Sequence, residues 1–177
     1  MNGTGITWKT NLWNQRTSIL YEEEEIGFLK MEMWSFKRKA TALLLDREYE
    51  LKSVNFWGNK FSMTDTTDKM NEQVIATITI NMLSNKAQLY VLKENEKFIF
   101  KQNFWSIGGW WWERKYNPFN LEQNYLPSDE KLIQNKVSNF LATKGKFDIG
   151  NTAESNLNAL ILGGIFIMKI RQQAAAG

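Results

Sequence analysis

The stretch Leu157–Ile170, LNALILGGIFIMKI, decides how the rest of the chain is read. The uncharged run around it begins at Ser155 and ends at Met168, just before Lys169. Those 14 residues make a helix of about 21 Å at ~1.5 Å per residue, short of the ~30 Å hydrocarbon core of a bilayer. Asn158 and the Gly163–Gly164 pair suit a membrane anchor poorly. Small residues do let other elements come close to a helix inside a core. A helix that is apolar on every face must be buried on every side. The sequence therefore predicts a central buried helix over 153–171, with a marginal tail anchor as the competing reading. An integral membrane protein is not expected.

Upstream of that helix the apolar pattern runs at period two, in short segments broken by polar or glycine turns. Gly5–Lys9 and Thr17–Tyr21 read as strands. Ile26–Trp34 puts Leu29, Met31 and Met33 on one face and Phe28, Lys30 and Glu32 on the other. Ala40–Leu45 is continuously apolar apart from Thr41 and reads as a strand buried on both sides. Tyr49, Leu51, Ser53 and Asn55 alternate with Glu50, Lys52, Val54 and Phe56 before a tight turn at Trp57-Gly58-Asn59-Lys60. Val74–Asn81, VIATITIN, is β-branched, as suits a pleated surface. Ala87–Leu92 and Lys97–Lys101 continue as a hairpin, and Gly145–Gly150 reads as the last strand. Between them, Ser128-Asp129-Glu130 looks like a helix start, and Ile133, Val137, Phe140 and Leu141 recur at helical spacing. An amphipathic outer helix is predicted over 128–143. The whole is a meander of antiparallel strands followed by one apolar helix. A closed barrel with that helix through its middle satisfies both facts and removes the exposed strand edges. The fold class is mainly β, in one domain spanning 1–177.

This layout resembles the tubby C-terminal-like superfamily, which includes the phospholipid scramblases and the plant LURP-one-related proteins. The resemblance rests on Glu25-Ile26-Gly27-Phe28-Leu29, on Phe61-Ser62-Met63-Thr64-Asp65, and above all on Phe147-Asp148-Ile149 followed by 153–170. It covers roughly 18–170, with 117–144 fitting least well. It implies a barrel of about twelve strands plugged by the helix, and a module that binds acidic phospholipid. The cysteine-rich and calcium-binding segments of scramblases have no counterpart here, so calcium-gated scrambling is not implied. No phosphoinositide-contacting residue of the tubby proteins matches a position in this chain.

Composition narrows the chemistry. The 177 residues include 22 Lys and Arg against 19 Asp and Glu, a net charge of +3. That is too mild for a dedicated nucleic-acid binder. The absence of Cys and His removes thiolate nucleophiles, Cys-based zinc sites and the commonest acid–base group. Asp46 and Asp148 fall where turn chemistry accounts for them. No carboxylate pair stands in an apolar setting, so the expectation is no enzyme, no cofactor and no metal. With no secretory signal at Met1–Trp13, a cytoplasmic location is expected.

Three clusters remain as candidates. Glu22–Glu25 is the densest acidic run. Adjacent strand residues point to opposite faces, so it reads as a solvated turn rather than an oxygen-ligand cation site. Lys37-Arg38-Lys39 lies between two strong strands and carries two readings, a contact for lipid or other phosphates and a solvated turn. Phe104–Tyr116 contains Trp110, Trp111 and Trp112, then Arg114 and Lys115. On a strand these three Trp cannot all face the core. Trp110, Trp112, Arg114 and Lys115 are candidates for membrane-interface or partner contact. Burial under the outer helix and stacking on single-stranded nucleic acid are the competing readings. The leading functional expectation is a non-catalytic binding module for acidic phospholipid head groups at a membrane surface. A protein-interaction or scaffolding domain comes second. A carrier of a small apolar ligand and a nucleic-acid binder rank lower.

Overall fold

The computed structural model describes residues 5–32, 38–81, 86–102, 109–115, 131–138, 143–150 and 156–176. Among the described residues, twelve strands precede one helix. They are β1 (Ile6–Asn11), β2 (Arg16–Tyr21), β3 (Glu24–Met31), β4 (Ala40–Leu44), β5 (Arg47–Ser53) and β6 (Lys60–Asp65). Then come β7 (Gln73–Ile80), β8 (Lys86–Val91), β9 (Glu96–Gln102), β10 (Trp110–Arg114), β11 (Lys131–Val137), β12 (Lys144–Ile149) and α1 (Leu157–Ala176). Each strand pairs antiparallel with its neighbour in sequence, and β1 closes the ring on β12.

The period-two pattern decides which side chains point inward. On β7, Ala76, Ile78 and Ile80 are buried while Thr79 is exposed. On β3, Leu29 and Met31 are buried and Lys30 is exposed. The space inside is filled by α1, in which every residue from Ala159 to Ile170 is buried. Its glycines are what let it fit. A Cβ on Gly164 would overlap the Trp110 ring, and one on Gly163 would stand 2.7 Å from Leu89 Cδ1. The helix is also tied to the wall. The Trp112 indole donates to the Leu160 carbonyl at 2.8 Å, Asn158 Nδ2 donates to the Tyr49 hydroxyl at 2.9 Å, and Phe166 meets Phe61 edge-on at 4.9 Å. Arg171 donates to Gln102 Oε1 at 2.8 Å near the helix C-terminus.

Three sequence expectations are corrected here. The predicted outer helix over 128–143 is strand β11 across Lys131–Val137; residues 128–130 and 139–142 lie outside the described ones. Ile133 and Val137 are four apart, which fits both one helical turn and two strand alternations. The residue between them, Asn135, breaks the apolar stripe. It nevertheless faces inward, where its Oδ1 accepts the Trp8 indole N–H at 2.6 Å. The run Ala40–Leu45 is not buried on both sides either. Thr41 is exposed on β4, and Leu45 turns out of the strand at φ 51. The helix begins at Leu157 and continues to Ala176, with 151–155 outside the described residues.

Candidate functional site

Because neighbouring strands run in opposite directions, the chain leaves β1, β3, β5, β7, β9 and β11 at one end of the barrel. It leaves the even-numbered strands at the other. The two sets of connections are similar in total length and opposite in chemistry. Among the described residues, those after the odd strands contain a single acid, Glu32, and the aromatics Trp13, Phe56 and Trp57. Among the described residues, those after the even strands contain six acids, Glu22, Glu23, Asp46, Asp68, Glu72 and Glu94, and no Phe or Trp. Parts of both sets lie outside the described residues, so the site rests on those that are described.

At the odd end, two hairpins hold aromatic rings out in solvent. The β1–β2 turn exposes Trp13 by 93% and Leu12 by 53%. The β5–β6 connection exposes Phe56 by 96% and Trp57 by 82%, with Val54 beside them. Both turns are held by local hydrogen bonds. The Trp13 backbone N–H donates to Asn11 Oδ1 at 3.0 Å and the Arg16 N–H to Asn14 Oδ1 at 3.1 Å. Asn55 Nδ2 donates to Asn59 Oδ1 at 2.6 Å, and Gly58 takes the left-handed conformation that the second turn needs. Large apolar rings held out in water on braced turns are costly to leave uncovered.

Arg38 joins the basic cluster to this end. Its guanidinium donates to the Gly58 carbonyl at 3.4 Å, against the turn that carries Phe56 and Trp57. Lys39 is already committed. Its ammonium sits 2.7 Å from Glu50 and 3.6 Å from Glu32, and the Glu50 carboxylate holds it above the usual lysine range. Lys37 lies outside the described residues. Of the cluster expected to meet phosphate, Arg38 is the member that is described and carries no ion pair among the described residues.

The Trp-rich candidates are distributed differently from the expectation. Trp110 and Trp112 are 1% and 0% exposed and pack against Phe100 and α1 inside the barrel. They belong to the core and offer no surface to a partner, which corrects that assignment. Trp111 faces outward, half-buried, with its indole donating to Glu113 at 2.7 Å and Lys131 over its ring. Arg114 and Lys115 lie at the opposite end from Arg38. There Arg114 pairs with Glu96 at 3.5 Å, and Glu96 also accepts from Asn156 beside the helix start. The residues the sequence pattern passed over are Trp13, Phe56 and Trp57. Their signal was present: an aromatic in a short turn between strands has no inward face to occupy.

Outward positions along the wall include Lys30, Thr41, Lys52, Thr79 and Gln88, all exposed. Strands that face hydrocarbon carry an apolar outer band instead. Among the described residues no helix is long and apolar enough to cross a membrane, and no cluster of acidic side chains converges to hold a metal ion. The fold and site together define a helix-plugged, closed antiparallel barrel with a polar wall and one aromatic end that is poor in acids. No family model matches the chain, nor does any curated protein or solved structure.

Proposed function

We propose that the protein is a non-catalytic module that docks the odd end of its barrel onto an anionic membrane surface, such as a cytoplasmic leaflet. The observation that carries this reading is the shared placement of Trp13, Phe56, Trp57 and Arg38 at one end, while Glu22, Glu23, Asp46, Asp68, Glu72 and Glu94 stand at the other. The attraction begins at long range, because the barrel presents its less acidic pole to negative lipid. Each basic residue near such a surface contributes about 1 kcal/mol. The aromatic tips then enter the headgroup layer. Half-burying three rings of roughly 150–250 Å² each, at about 25 cal/mol per Å², gives on the order of 6 kcal/mol before orientation costs. A polar wall keeps the barrel itself in water. The resemblance to the tubby C-terminal-like superfamily supports the same reading, since it implies both a helix-plugged barrel and contact with acidic phospholipid. A small apolar ligand would have to displace α1 from the interior.

Co-sedimentation with anionic and with neutral liposomes, at low and moderate salt, tests it. Binding to anionic vesicles that weakens with salt is the expected result. Binding to neither kind overturns the reading and hands the exposed rings to a protein partner.

A further inference from the structure

We propose that the cleft where α1 enters the barrel binds a small uncharged molecule, an apolar chain headed by a primary carboxamide. The cleft lies at the even end, away from the aromatic turns, and has a volume of about 350 Å³. The start of β5, the start of β7, the β8–β9 turn and the first turn of α1 line it. It stands at the mouth, outside the interior that α1 fills, so a ligand there leaves the helix in place. Two of its hydrogen-bonding groups are only half used. Tyr49 is 4% exposed, and its hydroxyl oxygen accepts from Asn158 Nδ2 at 2.9 Å. The hydroxyl's own proton has no acceptor among the described residues. Burial pushes that hydroxyl above its usual range, so the proton stays in place as a donor. Asn158 Nδ2 donates a second time, to the Leu44 carbonyl at 3.4 Å, while its Oδ1 accepts nothing among the described residues. A buried donor left without an acceptor costs free energy that a ligand can recover.

One donor and one acceptor thus stand together, on two side chains already bonded to each other. A primary carboxamide carries the complementary pair on one planar head, its carbonyl for the Tyr49 O–H and its N–H for Asn158 Oδ1. Charge argues against the other small heads. The two cations lining the cleft are each matched by an acid, since Arg47 pairs with Asp65 and Lys93 is followed by Glu94. The N-terminal turn of α1 presents the positive pole of its helix dipole, which disfavours an ammonium. The acids gathered at this end disfavour a carboxylate. An uncharged head is what remains. The rest of the ligand is set by the walls. Val74 and Leu92 stand 43% and 42% exposed, and with Leu157 they offer a short apolar chain a place to leave water. A cleft of this size, largely apolar with a few polar groups that fix orientation, has the form of a small-molecule site.

The test is ¹H–¹⁵N NMR of the full chain, titrated at constant ionic strength with pentanamide, N,N-dimethylpentanamide, pentanoate or pentylammonium. These probes share one apolar chain and differ in the head. Pentanamide is expected to shift the backbone amides of Val74, Leu92 and Asn158 saturably. N,N-dimethylpentanamide keeps the acceptor but has no N–H, and is expected to bind at least about fivefold more weakly. The two ions are expected to bind more weakly again. Tyr49→Phe keeps the ring and removes the O–H, and should cost pentanamide about fivefold in affinity. Leu92→Ser, at a half-exposed position outside the core, should cost it about threefold and keeps the proposal open to refutation if Tyr49→Phe does not fold. Pentanoate or pentylammonium binding as tightly as pentanamide overturns the proposal, as does equal binding of the dimethyl amide. So does pentanamide binding that neither substitution weakens, or the absence of any saturable shift around the cleft.

Discussion

At one end of the barrel the β5–β6 connection lifts Phe56 and Trp57 into solvent with no acid beside them. At the other, the β6–β7 connection exposes Met70 just as fully, but within Asp68-Lys69-Met70-Asn71-Glu72, where two acids outnumber the one lysine. Both are short excursions between antiparallel strands, so the scaffold does not explain the difference. An apolar group among acids is repelled from a negative surface along with its neighbours, while one beside Arg38 is drawn toward it. Exposure alone does not make a docking site. The charge around the exposed ring decides which surface it can approach.

The largest expected effect separates aromatics that hold the fold from those that do not. Trp112→Ala should cost about 3–5 kcal/mol of stability, because it opens a cavity against α1 and strands the Leu160 carbonyl. Trp57→Ala should change stability by no more than about 0.5 kcal/mol. Chemical denaturation of both variants reads this directly, and equal losses would mean that the exposed ring is structural after all. Next, the double variant Phe56→Glu/Trp57→Glu should weaken binding to anionic vesicles by on the order of 100-fold, through lost burial and added repulsion. Met70→Glu, at the acidic end, should leave binding unchanged. If the two variants lose binding equally, the ends are not functionally distinct.

Lys169 carries a third expectation. It is buried inside the barrel on α1, and that burial pushes its ammonium down to about 8. The unfolded lysine titrates near ~10.4 and so holds its proton more tightly than the folded one. Stability should therefore rise between about pH 8 and 10.4 from this group, and carry its full penalty below 8. Lys169→Met should stabilise the fold by about 2 kcal/mol at pH 7 and flatten that rise, as thermal melts across pH would show. The smallest effect is Arg38→Ala, a few-fold loss of vesicle affinity that disappears at high salt.

The central helix and most strands were legible in sequence because burial writes itself as an uncharged run or as alternation. Strand β11 was not, since the inward Asn135 interrupts the apolar face and satisfies a buried indole instead. Strand alternation through Trp110–Trp112 says that these three rings cannot share one face, but not which of them face inward. Which members turned inward depended on register with β9 and on the space left by Gly163 and Gly164. The contrast between the ends was hidden for another reason. Leu12-Trp13 and Phe56-Trp57 stand more than forty residues apart, and they share an end only because every intervening strand pairs with its sequence neighbour. Connections can be sorted into two ends only once that closed, alternating order is known.

The absence of cysteine makes the most direct test a clean one. A single cysteine introduced as Phe56→Cys, or separately as Met70→Cys, takes an environment-sensitive fluorophore whose apolar body stands in for the lost side chain. On adding anionic vesicles, the label at 56 should shift to the blue and become shielded from aqueous quenchers, while the label at 70 stays in water. Equal shifts at both positions, or a shift at 70 alone, would contradict docking by the aromatic end.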